Sequence, residues 1–369
     1  MNASLPAWLA PAWLMGVALS TVWAGRGMQA VPLTRVARAA QALVLAVAIV
    51  TPDGRVAYAA LAVSGALLTW IASTDTRTGA AYLAASAVLA ALTAVTITPM
   101  GIGSIAFVAS SLAIALRAGV FPLHAGAVAL AESRSARQAE QLATLPFAVF
   151  VHLKFVAQSQ LAHEAAPWLV VIGAGSALLF ALVALVQRDL RRLYIASTLM
   201  HGGMLVAALG AAGRGHSAAA LLVVVTMVLA LAGFSTMLSA FEERVGTGEV
   251  PAFAGRARAF PRLAAALAFF GGAAVGLPGT AGFVADDLLL HALWGESVTA
   301  AVLMIVASAL LAVATLALFA RVFFGPPQRH LAPDLAPGDR RVAVVLVALL
   351  LILGFAPQLL VTPVNAVLR

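Results

Sequence analysis

Residues 116–124 read LRAGVFPLH, and they interrupt an apolar run that extends from residue 102 to residue 131. The stretch places glycine, proline and two ionisable side chains, Arg117 and His124, inside a segment long enough to cross a bilayer. Proline removes a backbone donor and clashes with the preceding turn, so the pattern predicts a helix broken within the membrane. Residues 276–287, GLPGTAGFVADD, repeat this combination. Paired broken helices indicate an ion site in transporters with inverted repeats, whereas a plain packing kink is the alternative explanation of each.

Hydrophobic residues make up 63% of the 369-residue chain and charged residues 10%, with a mean hydropathy of +1.02. Soluble domains carry roughly 25% charged residues, so the composition indicates an integral membrane protein. The apolar runs are long and rich in Ala and Leu without alternation, which predicts an all-α polytopic fold of about twelve transmembrane helices. The apolar stretches lie near residues 7–24, 36–51, 56–73, 80–98, 102–131, 142–157, 167–187, 193–212, 217–241, 261–277, 282–294, 298–324 and 341–363.

Arginines cluster between these segments, and the formal net charge is +8. They determine topology, so the first long loop, with Arg26, Arg35 and Arg38, is expected in the cytoplasm and the N-terminus outside. Residues 1–25 are interpreted as a first span rather than as a removed signal. No basic run with interleaved aromatics occurs, which argues against a nucleic-acid partner. The expected location is a bacterial cytoplasmic (inner) membrane.

Motifs of cofactor and metal chemistry do not occur in the sequence. The chain has no Cys, and its seven histidines show no H-x-x-x-H or H-E-x-x-H spacing, so no metal is expected. No P-loop, dinucleotide fingerprint or G-x-S-x-G element occurs, so no cofactor is expected. The chain is therefore not expected to catalyse a reaction alone.

Lys154 is the only lysine of the chain, against 21 arginines, and it lies within the apolar stretch 142–157. A desolvated lysine can lose its proton near neutrality, whereas arginine stays charged. A titratable ammonium inside an apolar segment is therefore a candidate for proton transfer, and Lys154→Arg is expected to abolish ion-coupled activity. A genomic preference for arginine codons, with Lys154 snorkelling to the interface, is the alternative explanation.

A third motif lies between the two interrupted stretches. Residues 184–200 read ALVQRDLRRLYIASTLM, and a Gly-Gly-Met sequence follows at 202–204. This segment resembles the L-V-Q-x-D-(I/L)-K-R-x-x-A-Y-S-T signature of the antiporter-like membrane subunits. That family includes subunits of respiratory complex I, Mrp-type sodium/proton antiporters, membrane-bound hydrogenases and a two-component inorganic carbon (CO2/bicarbonate) uptake system. The interrupted stretches resemble the family's K-(S/T)-A-Q-x-P-(L/F)-H and G-x-P-x-x-x-G-F-x-(S/A)-K-(D/E) motifs, in the family's order.

The resemblance implies two inverted five-helix repeats, each with a discontinuous helix, and a midplane line of buried ionisable side chains. It divides the chain into N-terminal helices (1–98), an antiporter-like core with both broken helices (99–294) and C-terminal helices (295–369). The implied partners are other subunits of a membrane complex, the lipid bilayer, and protons or Na+. The chain is shorter than family members, which puts complete pumping in doubt.

The family's ionisable positions at and after the first broken helix are matched with changes. Arg117 takes the place of the first broken helix's lysine, and His124 matches the histidine after the proline. Lys154 lies on the next helix, where the family's central position falls nearer Pro146. The apolar segments before residue 100 contain no Asp or Glu, so the family's acidic partner for Arg117 is not evident.

In the second half, His201 follows the Ser-Thr motif, Met227 stands where the next central lysine is expected, and Asp286 replaces the lysine of the last broken helix. Histidine and lysine exchange protons near neutral pH, Arg117 supplies a fixed charge, and the two aspartates supply a relay or a salt-bridge partner. The alternatives are an interfacial anchor for Arg117, packing roles for the histidines, and a helix start for the aspartates. The expected path comprises Lys154, Arg117, His124, His152, His201, Asp286 and Asp287.

Two functions remain open from the sequence. The first is a proton- or cation-translocating subunit of a multisubunit complex, of either the NADH-quinone oxidoreductase/hydrogenase type or the inorganic carbon uptake type. The second is a non-conducting scaffold that anchors a peripheral catalytic partner. Lys154, Arg117 and the broken helices favour the first, whereas the missing acid and the missing central lysine favour the second.

Overall fold

α-Helices make up most of the part of the chain that the structure, a computed structural model, describes: residues 32–73, 76–98, 101–132, 137–246, 255–326 and 334–367. Across these residues no β-strand forms beyond an isolated bridge between Thr98 and Gly101. The all-α prediction is confirmed. The helices are α1 (Pro32–Val50), α2 (Gly54–Ala72), α3 (Arg77–Thr96), α4 (Ser104–Ala118), α5 (Ala125–Glu132), α6 (Arg137–Phe155), α7 (Gln160–Leu185), α8 (Leu190–Ala212), α9 (Ser217–Val245), α10 (Arg256–Ala259), α11 (Pro261–Ala274), α12 (Ala281–Glu296), α13 (Val298–Phe323), α14 (Pro337–Phe355) and α15 (Gln358–Val367).

Short polar side chains begin several of these helices. Asp53 Oδ1 accepts from Arg55 N at 2.8 Å, and Asp189 Oδ1 accepts from Arg191 N at 2.6 Å. Such caps satisfy amides that have no partner in the first helical turn. The capped helices continue as apolar runs, and six of the described helices are long and apolar enough to cross a membrane: α2, α3, α7, α8, α9 and α13.

The helix ends alternate between two faces of the bundle. Arginines concentrate on one of them, the arginine-rich face, whose described helix ends carry Arg38, Arg77, Arg188, Arg191, Arg192, Arg244, Arg256, Arg258, Arg262, Arg321, Arg340 and Arg341. The basic residues at the described helix ends of the opposite face are Arg55, Lys154 and Arg214. Contacts join helix ends that share a face: Lys154 Nζ to Thr51 O (2.8 Å), Arg55 Nε to Ile97 O (3.0 Å), Arg191 Nη1 to Ala131 O (2.9 Å), Arg214 Nε to Glu296 Oε2 (3.6 Å) and Gly255 N to Phe324 O (2.9 Å).

Two five-helix repeats follow from this alternation. The first comprises α1, α2, α3, the pair α4/α5, and α6; the second comprises α7, α8, α9, the pair α11/α12, and α13. In each, three continuous helices precede a broken one and a single continuous helix follows. Because α1 starts at the arginine-rich face and α7 ends there, the repeats have opposite orientations in the membrane. The prediction of two inverted repeats with discontinuous helices is confirmed.

The interior of the bundle is formed by α8 and α9. The apolar 18-residue windows of these helices are 100% and 94% buried, against 44% for α7 and 39% for α13. The lipid-facing helices end in exposed aromatic side chains, Trp70, Trp294 and Phe324 among them. Such rings are enriched at the two levels where a bilayer meets water.

Three sequence expectations have different outcomes at this level. The apolar stretch 341–363 is two helices, because α14 ends before Pro357 and α15 begins after it. The predicted first span, residues 7–24, lies outside the described residues. The division at residues 98 and 294 stays a prediction, whereas the boundary between the two repeats falls between α6 and α7.

Candidate ion path

The first broken helix opens between α4 and α5. Gly119 ends α4 with φ 74°, a left-handed conformation that glycine adopts without the penalty a side chain brings. The amide of Phe121 lies in the break, and the hydroxyl of Ser176 on α7 accepts its hydrogen bond at 3.1 Å. A backbone amide freed inside a membrane requires such a partner. Arg117 therefore lies in the last turn before an opening in the helix.

The second broken helix repeats this geometry between α11 and α12. Gly276 follows the end of α11 with φ 75°, and Gly279 has φ 88°. The hydroxyl of Thr280 donates to Leu277 O at 2.7 Å within the break. A Cβ atom on Gly276 would lie 2.8 Å from Asp286 Oδ2, so the carboxylate packs directly against the break.

In the first repeat, Arg117 donates to the hydroxyl of Thr144 on α6. Tyr58 and Ser110 line the same cavity as Arg117, and Ser110 also bonds His152. The space for water in this cavity is about 20 Å³, which is room for about one water molecule. Thr144, Tyr58 and Ser110 were not predicted from the sequence. Tyr58 is one of three tyrosines in the chain, and its place in an apolar run was the available signal.

His124 lies in the first break between two aromatic rings. Its ring stacks on Phe121 at 5.8 Å between centroids and meets the edge of Phe180 at 5.3 Å. Its Nδ1 is buried and has no hydrogen-bond partner among the described residues. Buried polar atoms without a partner are uncommon in folded proteins, and the role of His124 in the path stays a prediction.

In the second repeat, His201 and Asp286 line one small cavity together with Met227 and Thr226. His201 Nδ1 lies 2.7 Å from Ser197 O, one turn earlier on α8, and Nε2 lies 2.8 Å from Ala274 O at the end of α11. The space for water in this cavity is about 10 Å³, which is close to the room that one water molecule needs. The structure thus brings two residues of the predicted line, His201 and Asp286, to one cavity.

Asp287, the neighbour of Asp286, has different surroundings. It pairs with His291 one turn later at 3.4 Å, and the two side chains are 57% and 78% exposed. Successive residues of a helix point about 100° apart, which separates the two carboxylates. The aspartates therefore do not form one relay in this structure.

Lys154 contacts the end of α1. Its Nζ donates to Thr51 O at 2.8 Å and to Ile49 O at 3.3 Å, and it lies 5.0 Å from the centre of the Phe155 ring. Carbonyls at a helix C-terminus have no intrahelical donor and attract cations. The contacts are those of a helix cap at the opposite face, about two turns from Pro146 along α6.

No group of three or more His, Asp or Glu side chains that could hold a metal ion occurs in the described ranges. The arrangement is instead a pair of broken helices in inverted repeats, each with ionisable side chains at the break. The fold and its breaks define the class: a polytopic membrane protein of the ion-transporter type.

Comparison with known proteins identifies the family within this class. The family model described as "NADH:quinone oxidoreductase/Mrp antiporter, TM" matches residues 23–312, and the chain belongs to that family. The NADH-quinone oxidoreductase subunit M of Rhodobacter capsulatus is 28% identical over 192 residues, which cover 51% of this chain and 38% of that protein. The NADH-quinone oxidoreductase subunit N 2 of Opitutus terrae is 27% identical over 266 residues, 70% of this chain and 55% of that protein. The chain thus spans between about two fifths and just over half of the length of these curated relatives.

The fold of this chain is similar to that of a chain in a solved membrane complex. A chain of the Mrp complex from Dietzia sp. DQ12-45-1b aligns with a TM-score of 0.79 at 16% identity, covering 98% of this chain and 82% of that one. At this identity the likeness concerns the fold. The predicted resemblance to the antiporter-like membrane subunits is confirmed.

Proposed function

We propose that this chain conducts protons as the antiporter-like subunit of a larger membrane complex and performs no catalysis alone. The observation that carries the proposal is the cavity at the second break, which joins His201 on α8 to Asp286 on α12. Ionisable side chains inside a membrane are costly and mark ion paths by default. The further proposed path members are Arg117, His124 and His152 in the first repeat.

The hydrogen bonds of His201 suit a proton carrier. Both ring nitrogens face carbonyl oxygens, which only accept, so both bonds form only when the ring carries two protons. Loss of one proton breaks one of these two bonds: loss of the Nδ1 proton breaks the bond within α8, and loss of the Nε2 proton breaks the bond to the end of α11. Transfer of the Nε2 proton from His201 to Asp286, through one water molecule, therefore changes the contact between α8 and the broken helix.

A proton fits this cavity better than Na+. A sodium ion requires several oxygen ligands, whereas the side-chain oxygens of the cavity lining are those of one carboxylate and of the hydroxyl of Thr226. That hydroxyl already donates to Leu222 O at 2.9 Å. Imidazole exchanges protons near neutral pH and is a poor sodium ligand. Sodium transport remains the second candidate.

The face of α12 that carries Asp287 and His291 supports a partner subunit. Asp287 lies about 13 Å along the helix from Glu296 at the opposite face, which is within the hydrocarbon layer. An exposed carboxylate at this depth is unfavourable in lipid. We infer that a second membrane-spanning chain covers this face with a polar or cationic side chain. A complex of the quinone-oxidoreductase or Mrp type is favoured by the names of the relatives, and an inorganic carbon uptake complex is the alternative.

The test uses the full chain with its co-purifying subunits in liposomes. Proton flux driven by a potassium diffusion potential is followed with an enclosed pH-sensitive dye. Asp286→Asn is expected to lower the flux at least about tenfold, because it removes the proton acceptor from the His201 cavity. Asp287→Asn is the matched control on the same helix, and it is expected to leave the flux within about twofold, because this exposed carboxylate lies outside the His201 cavity.

Three outcomes would contradict parts of the proposal. Absence of wild-type flux would support the scaffold function instead. Flux that depends on Na+ rather than on a pH gradient would support the second candidate ion. Full flux in Asp286→Asn would remove this carboxylate from the path.

A further inference from the structure

A chain of three buried polar side chains crosses the first repeat. Tyr58 Oη lies 2.6 Å from Ser110 Oγ, and Ser110 Oγ lies 2.7 Å from His152 Nδ1. Each comes from a different helix, α2, α4 and α6, and their exposed fractions are 3%, 1% and 2%. Both distances are those of short hydrogen bonds, and each of the three side chains can both donate and accept a proton.

The three side chains lie between the opposite face and Arg117. Tyr58 is one turn from the start of α2 and His152 is one turn from the end of α6, both at that face. Arg117 is seven residues further along α4 than Ser110, about 10 Å deeper. Tyr58, Ser110 and Arg117 line one cavity with room for about one water molecule.

We propose that Tyr58, Ser110 and His152 form a hydroxyl–imidazole relay that carries protons between the opposite face and the Arg117 cavity. This proposal rests on the proposed proton conduction and assigns the first repeat its half of the path. The helices α1 to α4 contain no Asp or Glu, so no carboxylate of these helices serves that part of the route.

The relay conserves every proton. A proton binds Nε2 of His152, and the Nδ1 proton passes to Ser110 Oγ. The Ser110 hydroxyl proton passes to Tyr58 Oη, and the Tyr58 proton leaves to a water molecule in the cavity. Each N–H or O–H bond that breaks is replaced by a bond to the next atom. Rotation of the hydroxyls and a tautomer change of His152 restore the starting order.

The positive charge of Arg117 affects where a proton can stay along the relay. Its guanidinium stays charged at any biological pH, so an excess proton does not remain beside it in the shared cavity. A proton released from Tyr58 therefore moves on rather than accumulating. Arg117 is a positioning residue in this scheme, because it sets the local charge without exchanging a proton.

The experiment compares hydroxyl deletions in one cavity. Tyr58→Phe and Ser110→Ala each interrupt the chain and are expected to lower liposome proton flux at least about tenfold. The double variant is expected to lose no more than either single variant, since the groups act in series. Ser86→Ala is the matched control: Ser86 lines the same cavity, but its hydroxyl donates to Leu83 O at 2.9 Å on its own helix. Its flux is expected within about twofold of wild type.

Folding and function are separated by two further measurements. Thermal unfolding in detergent reports whether a variant is folded, and Ser110→Thr, which keeps a hydroxyl, is expected to retain flux where Ser110→Ala loses it. Wild-type flux in folded Tyr58→Phe and Ser110→Ala overturns the relay. If Asp286→Asn still blocks flux in that case, the proposed function survives without the relay. Absence of flux in the wild type overturns both.

Discussion

The side chain that stands out most in the sequence has an ordinary structural contact. Lys154 is conspicuous because it is the single lysine in a chain of 21 arginines. Its ammonium nevertheless contacts the carbonyls of Ile49 and Thr51 at the end of α1, with Phe155 beside it. A role in proton transfer stays a prediction. The contacts favour a cap that joins α1 to α6, because two carbonyl acceptors hold the charged form in place.

Substitutions of Lys154 separate a cap from a proton carrier. Lys154→Met removes the donor from both carbonyls and is expected to lower the free energy of unfolding by about 1 kcal/mol. Lys154→Arg keeps a charged donor and is expected to retain both stability and proton flux. Thermal unfolding in detergent and liposome flux measure the two effects. Loss of flux in a stable Lys154→Arg protein would restore the proton-carrier role that the sequence favoured.

Motif positions and contact partners differ in how far they can be predicted. His201 and Asp286 were placed by spacing within the motifs, and the structure brings them to one cavity. Tyr58, Ser110 and Thr144 were missed, because neutral polar residues are common in membrane helices and give no contrast in composition. Their roles depend on which helices become neighbours, and that information is not local in the sequence.

At the scale of elements, α8 connects the two broken helices. His201 contacts Ala274 O at the end of α11, and the adjacent Gly202 packs against Ala118 at the end of α4. Consecutive residues of one buried helix thus contact both breaks. The sequence indicated both breaks and the Gly-Gly pair, but not that α8 lies between them. We infer that a change at one break reaches the other through α8.

Gly202→Ala tests the contact between α8 and the first break. An added Cβ would lie 2.0 Å from Ala118 O, a distance that forces one helix to move. The substitution is expected to lower the free energy of unfolding by about 1–3 kcal/mol and to lower the proton flux. Gly175→Ala on α7 is the control, because a Cβ there meets nothing within 4 Å and alanine favours a helix. Equal stability of the two variants, measured by thermal unfolding, would show that α8 and α4 do not pack closely.

At the scale of the whole molecule, orientation could be predicted only in part. The sequence placed the first arginine cluster in the cytoplasm but left the later loops unassigned, because a broken helix looks like one or two spans. The structure settles which helix ends share a face. Contacts such as Gly255 N to Phe324 O and Arg262 N to Asp334 Oδ2, at 2.9 and 2.8 Å, join distant loops on the arginine-rich face. By the positive-inside rule we infer that this face is cytoplasmic.

Labelling of single cysteines measures that orientation directly, because the chain contains no cysteine of its own. His216→Cys lies in the exposed turn between α8 and α9 at the opposite face, and Arg258→Cys is exposed on the arginine-rich face. A membrane-impermeant maleimide applied to intact cells, or to spheroplasts where an outer membrane is present, is expected to label His216→Cys at once. Arg258→Cys is expected to react only after the membrane is permeabilised, because its face lies in the cytoplasm. The reverse pattern would invert the molecule and place the Tyr58–Ser110–His152 relay on the cytoplasmic side of the bilayer.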